Sequence, residues 1–116
     1  MTEEWFKSNV KKYIPEIELD IFGNVFFGRY KELSDVTLIR FIKSKKELSL
    51  PFDIDLDEDN QIIPINAENE YTNGWYEDLL FHEESDQVIK QMSKLHKKYK
   101  ELMCTIKKNE LEKDFE

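Results

Sequence analysis

The most regular apolar pattern of the chain lies between Ser85 and about Lys108. Apolar residues recur there at alternating intervals of four and three, which places them on one face of a helix: Val88, Met92, Leu95, Tyr99, Leu102 and Ile106. Lysines occupy the opposite face. Further apolar residues widen the short stripe, so we expect the helix to lie on the chain's own sheet. A homodimer built on this C-terminal helix is the alternative.

A first helix is predicted from Thr2 to Ile14. Thr2 is a suitable N-cap, and the two glutamates that follow it suit the positive end of the helix dipole. Apolar residues recur at helical spacing through the stretch: Trp5, Phe6, Val10, Tyr13 and Ile14. Pro15 ends the helix, because the residue before a proline is pushed out of the helical conformation.

The clearest β-hairpin runs from Glu16 to Tyr30. Gly23 and Asn24 form a two-residue turn with glycine at the first central position, as a type II′ turn requires. This turn sets apolar side chains opposite one another on one face: Ile21 with Phe26, Leu19 with Gly28, and Ile17 with Tyr30. On the other face, Glu18 lies opposite Arg29.

The next predicted strand is Val36 to Lys43. It is rich in β-branched and aromatic residues, which favours a strand, although the spacing of its apolar residues also fits a helix. Residues 45–47 form a polar connection. We therefore expect a third strand that continues the meander of the first hairpin.

A second hairpin is predicted around an acidic strand. Phe52 to Asp57 alternates strictly between apolar residues and aspartates, which places the aspartates on the face away from the core. A two-residue turn at Asp59 and Asn60 would set Leu56 against Ile63, Ile54 against Ile65, and Phe52 against Ala67. Pro64 cannot donate a ladder hydrogen bond, so the returning strand is expected at a sheet edge.

The stretch before the long helix is predicted to be a loop followed by a short helix. Asn66 to Thr72 is polar, and the helix begins around Asn73 and Gly74. Its shared face comprises Trp75, Tyr76, Leu79 and Leu80. The complete order predicts one α+β domain over residues 1–116, with an N-terminal helix, an antiparallel meander of about five strands, and C-terminal helices on one face of the sheet.

Composition indicates the cellular compartment in which the protein is expected. No apolar run approaches the ~18 residues that a membrane span needs, and the acidic start does not resemble a secretory signal. Cys104 is the single cysteine, and its position on the helix, two residues after Leu102 and away from the apolar stripe, predicts that it is exposed. A free exposed thiol suits a reducing compartment, so we expect a cytoplasmic protein without a membrane partner.

The charge is unevenly distributed. The net charge is −8, and the segment from Glu47 to Ile89 contains thirteen acidic residues and no lysine or arginine. The C-terminal helix, by contrast, is rich in lysine. The acidic balance disfavours direct nucleic-acid binding and favours a basic protein as the partner.

Familiar catalytic motifs are missing from the sequence. It contains no glycine-rich phosphate loop, no His-Glu-x-x-His, no Cys-x-x-Cys and no Gly-x-Ser-x-Gly. His82 and His96 come from different predicted helices, which argues against a zinc site. We expect no cofactor and no catalytic residues.

The aspartates of the second hairpin carry the most informative pattern, and three interpretations of them stay open. Asp53, Asp55 and Asp57 could simply keep an outward strand face solvated. They could hold a divalent metal ion for an enzyme that acts on a phosphate ester, although the spacing does not match a calcium-binding EF-hand. They could also form a row of carboxylates that a basic partner recognises.

The functional hypothesis is a small acidic binding module that acts through protein–protein interaction. In size, acidity and low glycine content the chain is similar in type to inhibitor and immunity proteins of bacteria and phages. We expect a monomer, with a homodimer as the alternative. The residues expected to contact the partner are the acids of the central segment: Asp53, Asp55, Asp57, Glu58, Asp59, Glu68, Glu70, Glu77, Asp78, Glu83 and Glu84.

Overall fold

The computed structural model describes residues 1–65, 67–68 and 76–113. Within them, helix α1 spans Glu3–Tyr13 and helix α2 spans Asp86–Lys113. The strands in chain order are β1 (Ile17–Phe22), β2 (Val25–Tyr30), β3 (Ile39–Ile42), β4 (Glu47–Leu50), β5 (Asp53–Leu56), β6 (Ile62–Ile65), β7 (Ala67–Glu68), β8 (Tyr76–Glu77) and β9 (Leu79–Phe81). The architecture is α+β, as predicted.

The N-terminal helix forms as the sequence predicts. The Thr2 hydroxyl accepts a hydrogen bond from the backbone N–H of Trp5 at 3.1 Å, which is the geometry of an N-cap. The helix ends at Tyr13, and its C-cap is Ile14, directly before Pro15. Phe6 and Val10 point from it into the core.

The β1–β2 hairpin has the predicted register. Ile17, Leu19 and Ile21 pair with Tyr30, Gly28 and Phe26, and Glu18 pairs with Arg29. Gly23 has a φ of +59°, a conformation that glycine adopts without steric cost. The apolar face is not buried along its whole length, because Ile21 beside the turn is 54 % exposed.

The main sheet is antiparallel and has the strand order β1-β2-β3-β4-β9. β3 confirms the strand predicted within residues 36–43. β4 begins at Glu47, where only a polar connection was expected, and Leu48, Ser49 and Leu50 of this strand are all buried. A strand buried on both faces lacks the alternation by which a half-exposed strand is recognised.

The short helix predicted before α2 is wrong. Tyr76–Glu77 is strand β8, which pairs with β7, and Leu79–Phe81 is strand β9, which pairs with β4. Strand β7 likewise falls within the predicted loop. The expected helix start at Asn73 and Gly74, and most of that loop, lie outside the described residues.

The register predicted for the second hairpin is also wrong. β5 and β6 form a separate two-stranded sheet in which Leu56 pairs with Ile62 and Ile54 with Pro64. The loop is therefore longer than two residues, and Ile63 and Ile65 lie opposite the aspartates. β6 is an edge strand among the described residues, as Pro64 indicated.

The core lies between one face of the main sheet, the two helices and the β5–β6 hairpin. Phe6 of α1 stacks on Phe41 of β3, with ring centroids 4.6 Å apart. α2 contributes the predicted stripe, of which all members except the half-buried Tyr99 are buried. The helix continues to Lys113, beyond the helical pattern that the sequence shows as far as about Lys108. No described helix has the length and apolar character needed to cross a membrane.

Candidate functional site

The β5–β6 hairpin holds its aspartates on the face opposite the core. Ile54 and Ile62 are 1 % and 0 % exposed, so they fix the inner face of the hairpin. Asp53 and Asp55 alternate with Ile54 and point the other way, as the sequence predicted. Asp55 is exposed, whereas Asp53 is half-buried.

Asp57 builds the turn of the hairpin. Its Oδ1 accepts hydrogen bonds from the backbone N–H groups of Asp59 and Gln61, both at 2.9 Å. Asn60 closes the loop in the left-handed conformation, with a φ of +60°. Asp57 is therefore a structural residue of the turn, and the carboxylates displayed at the tip are those of Glu58 and Asp59, which are exposed.

Lysines of α2 partly offset the charge of Asp53. Asp53 lines the same surface depression as three lysines, Lys94, Lys97 and Lys98, and one acid, Glu101. Asp55, Glu58 and Asp59 do not line this depression. The row of three strand carboxylates expected from the sequence is thus not presented as a unit, and the displayed acidic group comprises Asp55, Glu58 and Asp59. We call these three residues the hairpin acids.

Two side chains of α2 clamp the start of β5. Gln91 Nε2 donates to the carbonyl oxygens of Pro51 and Phe52, at 2.8 and 2.9 Å. Lys94 Nζ donates to the same Phe52 carbonyl at 3.0 Å and lies 3.8 Å from the centroid of the Phe52 ring. Phe52 is 43 % exposed, so the expectation that it points inward is wrong. The clamp fixes the hairpin relative to the long helix.

The acids between β8 and α2 form a second group, and internal contacts occupy several of them. Asp78 Oδ2 accepts a hydrogen bond from the Ser49 hydroxyl at 2.8 Å. Glu84 Oε1 accepts from the backbone N–H and the hydroxyl of Thr2, both at 3.0 Å. These hydrogen bonds, the backbone one first, lower the pKa of the Glu84 carboxyl. Glu83 is exposed.

The remaining predicted contact residues are described only in part or not at all. Glu68 and Glu77 belong to the short β7–β8 pair, in which Glu68 lies opposite Tyr76 and Glu77 opposite Ala67. Glu70 lies outside the described residues. The described acids therefore lie on three parts of the fold: the β5–β6 hairpin, the short β7–β8 pair, and the stretch from Asp78 to Glu84 before α2.

The two histidines each contact a different glutamate. His82 Nε2 lies 2.9 Å from Glu47 Oε2, across the β4–β9 edge. His96 Nδ1 lies 3.2 Å from Glu16 Oε2, close enough for charge interaction but out of line for a hydrogen bond. Over residues 1–65, 67–68 and 76–113, no three His, Cys, Asp or Glu side chains come close enough to hold a metal ion.

A stacked pair of tyrosines, of which Tyr30 is buried and Tyr99 half-buried, lies beside His96. The Tyr30 and Tyr99 rings stack with centroids 4.4 Å apart, and Tyr30 is 2 % exposed. Burial, reinforced by the negative charge of Glu16, raises the pKa of both phenols. Both hydroxyls therefore lose their protons only at a higher pH than an ordinary tyrosine does.

Sequence reasoning missed the residues that hold the hairpin acids in place. Lys94 was expected only on the lysine face of α2, and no contact was predicted for Gln91. The carbonyl oxygens that accept from Gln91 and Lys94 belong to residues about forty positions away along the chain. A pattern of local spacing therefore cannot reveal these contacts. Cys104 is exposed, as predicted. Comparison with known protein families, curated proteins and solved structures found no match.

Proposed function

We propose that the protein is a small cytoplasmic binding module, of the inhibitor or immunity type, that presents carboxylates to a basic protein partner. The observation that supports this most directly is the display of the hairpin acids Asp55, Glu58 and Asp59. They are exposed on a hairpin whose opposite face is buried in the core. The partner is expected to carry lysine or arginine at the matching positions.

The rigidity of the hairpin favours recognition over simple solvation. Asp57 ties the loop with two hydrogen bonds, and the α2 clamp anchors the entry to β5. Side chains on an already ordered loop lose less conformational freedom when a partner binds, which leaves more of the interaction energy for affinity. A face that served only solubility would not require this fixation.

Opposite charges raise the association rate of such an interaction and make it sensitive to salt. An acidic surface raises the rate of encounter with a basic partner, and the effect falls as ionic strength rises. Three lysines of α2 line the same depression as Asp53, so we expect the far end of the hairpin to attract a basic partner more strongly. The partner contact is therefore expected to centre on the tip of the hairpin, residues 55–59.

The test is affinity capture from native lysate, followed by titration of the purified partner. The variant carries Asp55→Asn, Glu58→Gln and Asp59→Asn, which keep the shapes of the side chains. We expect the wild-type protein to capture a basic partner at low salt, and the triple variant to bind it about tenfold or more weakly.

The matched control removes the same number of charges elsewhere. Asp35, Glu101 and Glu110 are exposed and lie outside the hairpin, so their amide variant should keep the affinity. Equal losses in the two triple variants would show that net charge alone attracts the partner. An affinity that no variant changes, or that does not fall with salt, would contradict the proposal.

A further inference from the structure

Strand β1 forms an edge of the main sheet that the rest of the described chain leaves open. It pairs with β2 on one side, and the strand order places no described strand on its other side. In a two-residue hairpin the pair that closes the turn is hydrogen-bonded, and bonded pairs then alternate along the ladder. The backbone groups of Phe22, Asp20 and Glu18 therefore point to β2, and those of Leu19 and Ile21 point outward.

These outward groups are not engaged by any described loop or side chain. The hydrogen bonds formed by turns, caps and side chains within residues 1–65, 67–68 and 76–113 do not include the backbone of Leu19 or Ile21. A free row of backbone donors and acceptors at a sheet edge is a template for an additional strand.

The side chains at the end of β1 also favour an added strand. Ile21 is 54 % exposed and Phe22 is 81 % exposed, and as neighbours in a strand they project to opposite faces of the sheet. A partner lying on one face would cover only one of them. A strand added beside β1 would bring side chains next to both.

The charges of β1 decide which strand fits. Glu18 and Asp20 are both exposed on one face. Arg29 of β2 lies opposite Glu18, whereas no base lies directly opposite Asp20, which pairs with Phe27. If two copies of β1 paired antiparallel over most of their length, Glu18 would meet Asp20, or Asp20 would meet its own copy. Like charges directly opposite each other destabilise a sheet, so a second copy is disfavoured.

We propose that the β1 edge binds an extended segment of a basic partner, in which lysine or arginine alternates with apolar residues. The basic residues would lie beside Glu18 and Asp20, and the apolar residues beside Leu19 and Ile21. This surface is separate from the hairpin acids, so it extends the proposed function to a second contact, and each contact is tested by itself.

The test uses a seven-residue peptide of alternating lysine and valine with blocked ends. The expected result is slower hydrogen exchange of the Leu19 and Ile21 amides, by about tenfold or more at saturating peptide, measured by NMR. The Asp20 amide is already bonded to β2, so its exchange should change less. A peptide N-methylated at its valines, whose amides would face the Leu19 and Ile21 backbone, and a regrouped peptide with the lysines together should give no such protection.

Charge variants provide the second readout. Glu18→Gln with Asp20→Asn should weaken binding of the alternating peptide about twofold to thirtyfold, the range expected for two lost cross-strand charge pairs. Glu32→Gln with Asp35→Asn removes the same charge from exposed positions elsewhere and should leave binding unchanged.

Three results would overturn the inference. Equal binding of the regrouped peptide would show that charge alone attracts it. Protection of Leu19 and Ile21 in the protein by itself, with a dimer in sedimentation, would make a second copy the occupant. Peptide binding that is lost in the hairpin triple variant but kept in the β1 variant would support the hairpin as the contact and refute the edge.

Discussion

The clamp between α2 and the acidic hairpin can be tested with Gln91→Ala. The substitution removes the donors to the carbonyl oxygens of Pro51 and Phe52, at 2.8 and 2.9 Å. A neutral hydrogen bond contributes about 0.5–1.5 kcal/mol, so two contribute about 1–3 kcal/mol. Lys94 still donates to the Phe52 carbonyl, and alanine has the higher helix propensity. We expect the free energy of unfolding to fall by about 1–2 kcal/mol.

The assay is urea unfolding followed by circular dichroism, together with hydrogen exchange of the β5 and β6 amides. Gln87→Ala is the matched control, since Gln87 is an exposed glutamine one turn earlier on the same helix. Loss of the clamp should speed exchange in the hairpin more than in β1–β4, because the hairpin forms its own two-stranded sheet. If Gln91→Ala and Gln87→Ala behave alike in both measurements, the clamp does not hold the hairpin.

Substitutions at three further positions test other contacts, each by chemical denaturation. Asn60→Ala should lower the free energy of unfolding by about 1 kcal/mol, whereas Asn60→Gly should be nearly neutral, because residue 60 has a φ of +60°. Gly28→Ala should cost about 1–3 kcal/mol, because the new Cβ would lie 3.0 Å from Ile17 Cγ2 and 3.2 Å from Ile39 Cβ. Glu84→Gln should lower the free energy of unfolding at neutral pH but not in strong acid. The pKa of Glu84 is lower in the folded protein than its ordinary value of 4.5. The carboxylate therefore stabilises the fold above pH 4.5, and this stabilisation is lost as the pH falls through the folded-state pKa. A denaturation midpoint of Glu84→Gln that differs from wild type equally at both pH values would contradict the last of these.

The elements that the sequence predicts correctly are those specified by local chemistry. The β1–β2 register follows from a glycine that suits its turn and from alternation that is consistent on both faces of the hairpin. The α2 stripe follows from a spacing that only a helix satisfies over that length. In both elements the deciding residues lie within a few positions of one another.

The errors fall where distant contacts decide the structure. Leu79 and Leu80 have neighbours at helical spacing, yet Leu80 pairs with Ser49 in the main sheet. That pairing stabilises a strand whatever the local pattern favours. β4 was missed for a related reason, since burial on both sides leaves no alternation to detect. The register predicted for the second hairpin is wrong because the Asp57 carboxylate stabilises a loop longer than the two residues expected.

The acidic surface was predicted too broadly because the sequence counts charges and cannot show which of them the fold uses. Asp57 closes a turn, Asp78 binds Ser49, and Glu84 binds Thr2 at the start of α1. A carboxylate that accepts hydrogen bonds from its own chain would have to give them up, or share them, to meet a partner, and that exchange reduces the gain on binding. Asp55 accepts one such hydrogen bond, from the backbone N–H of Leu56 at 2.8 Å, whereas Glu58 and Asp59 accept none from the described residues and bear no such cost. Recognition of a basic partner by this protein should therefore depend on Glu58 and Asp59 far more than on Asp57, although the three are adjacent in the chain.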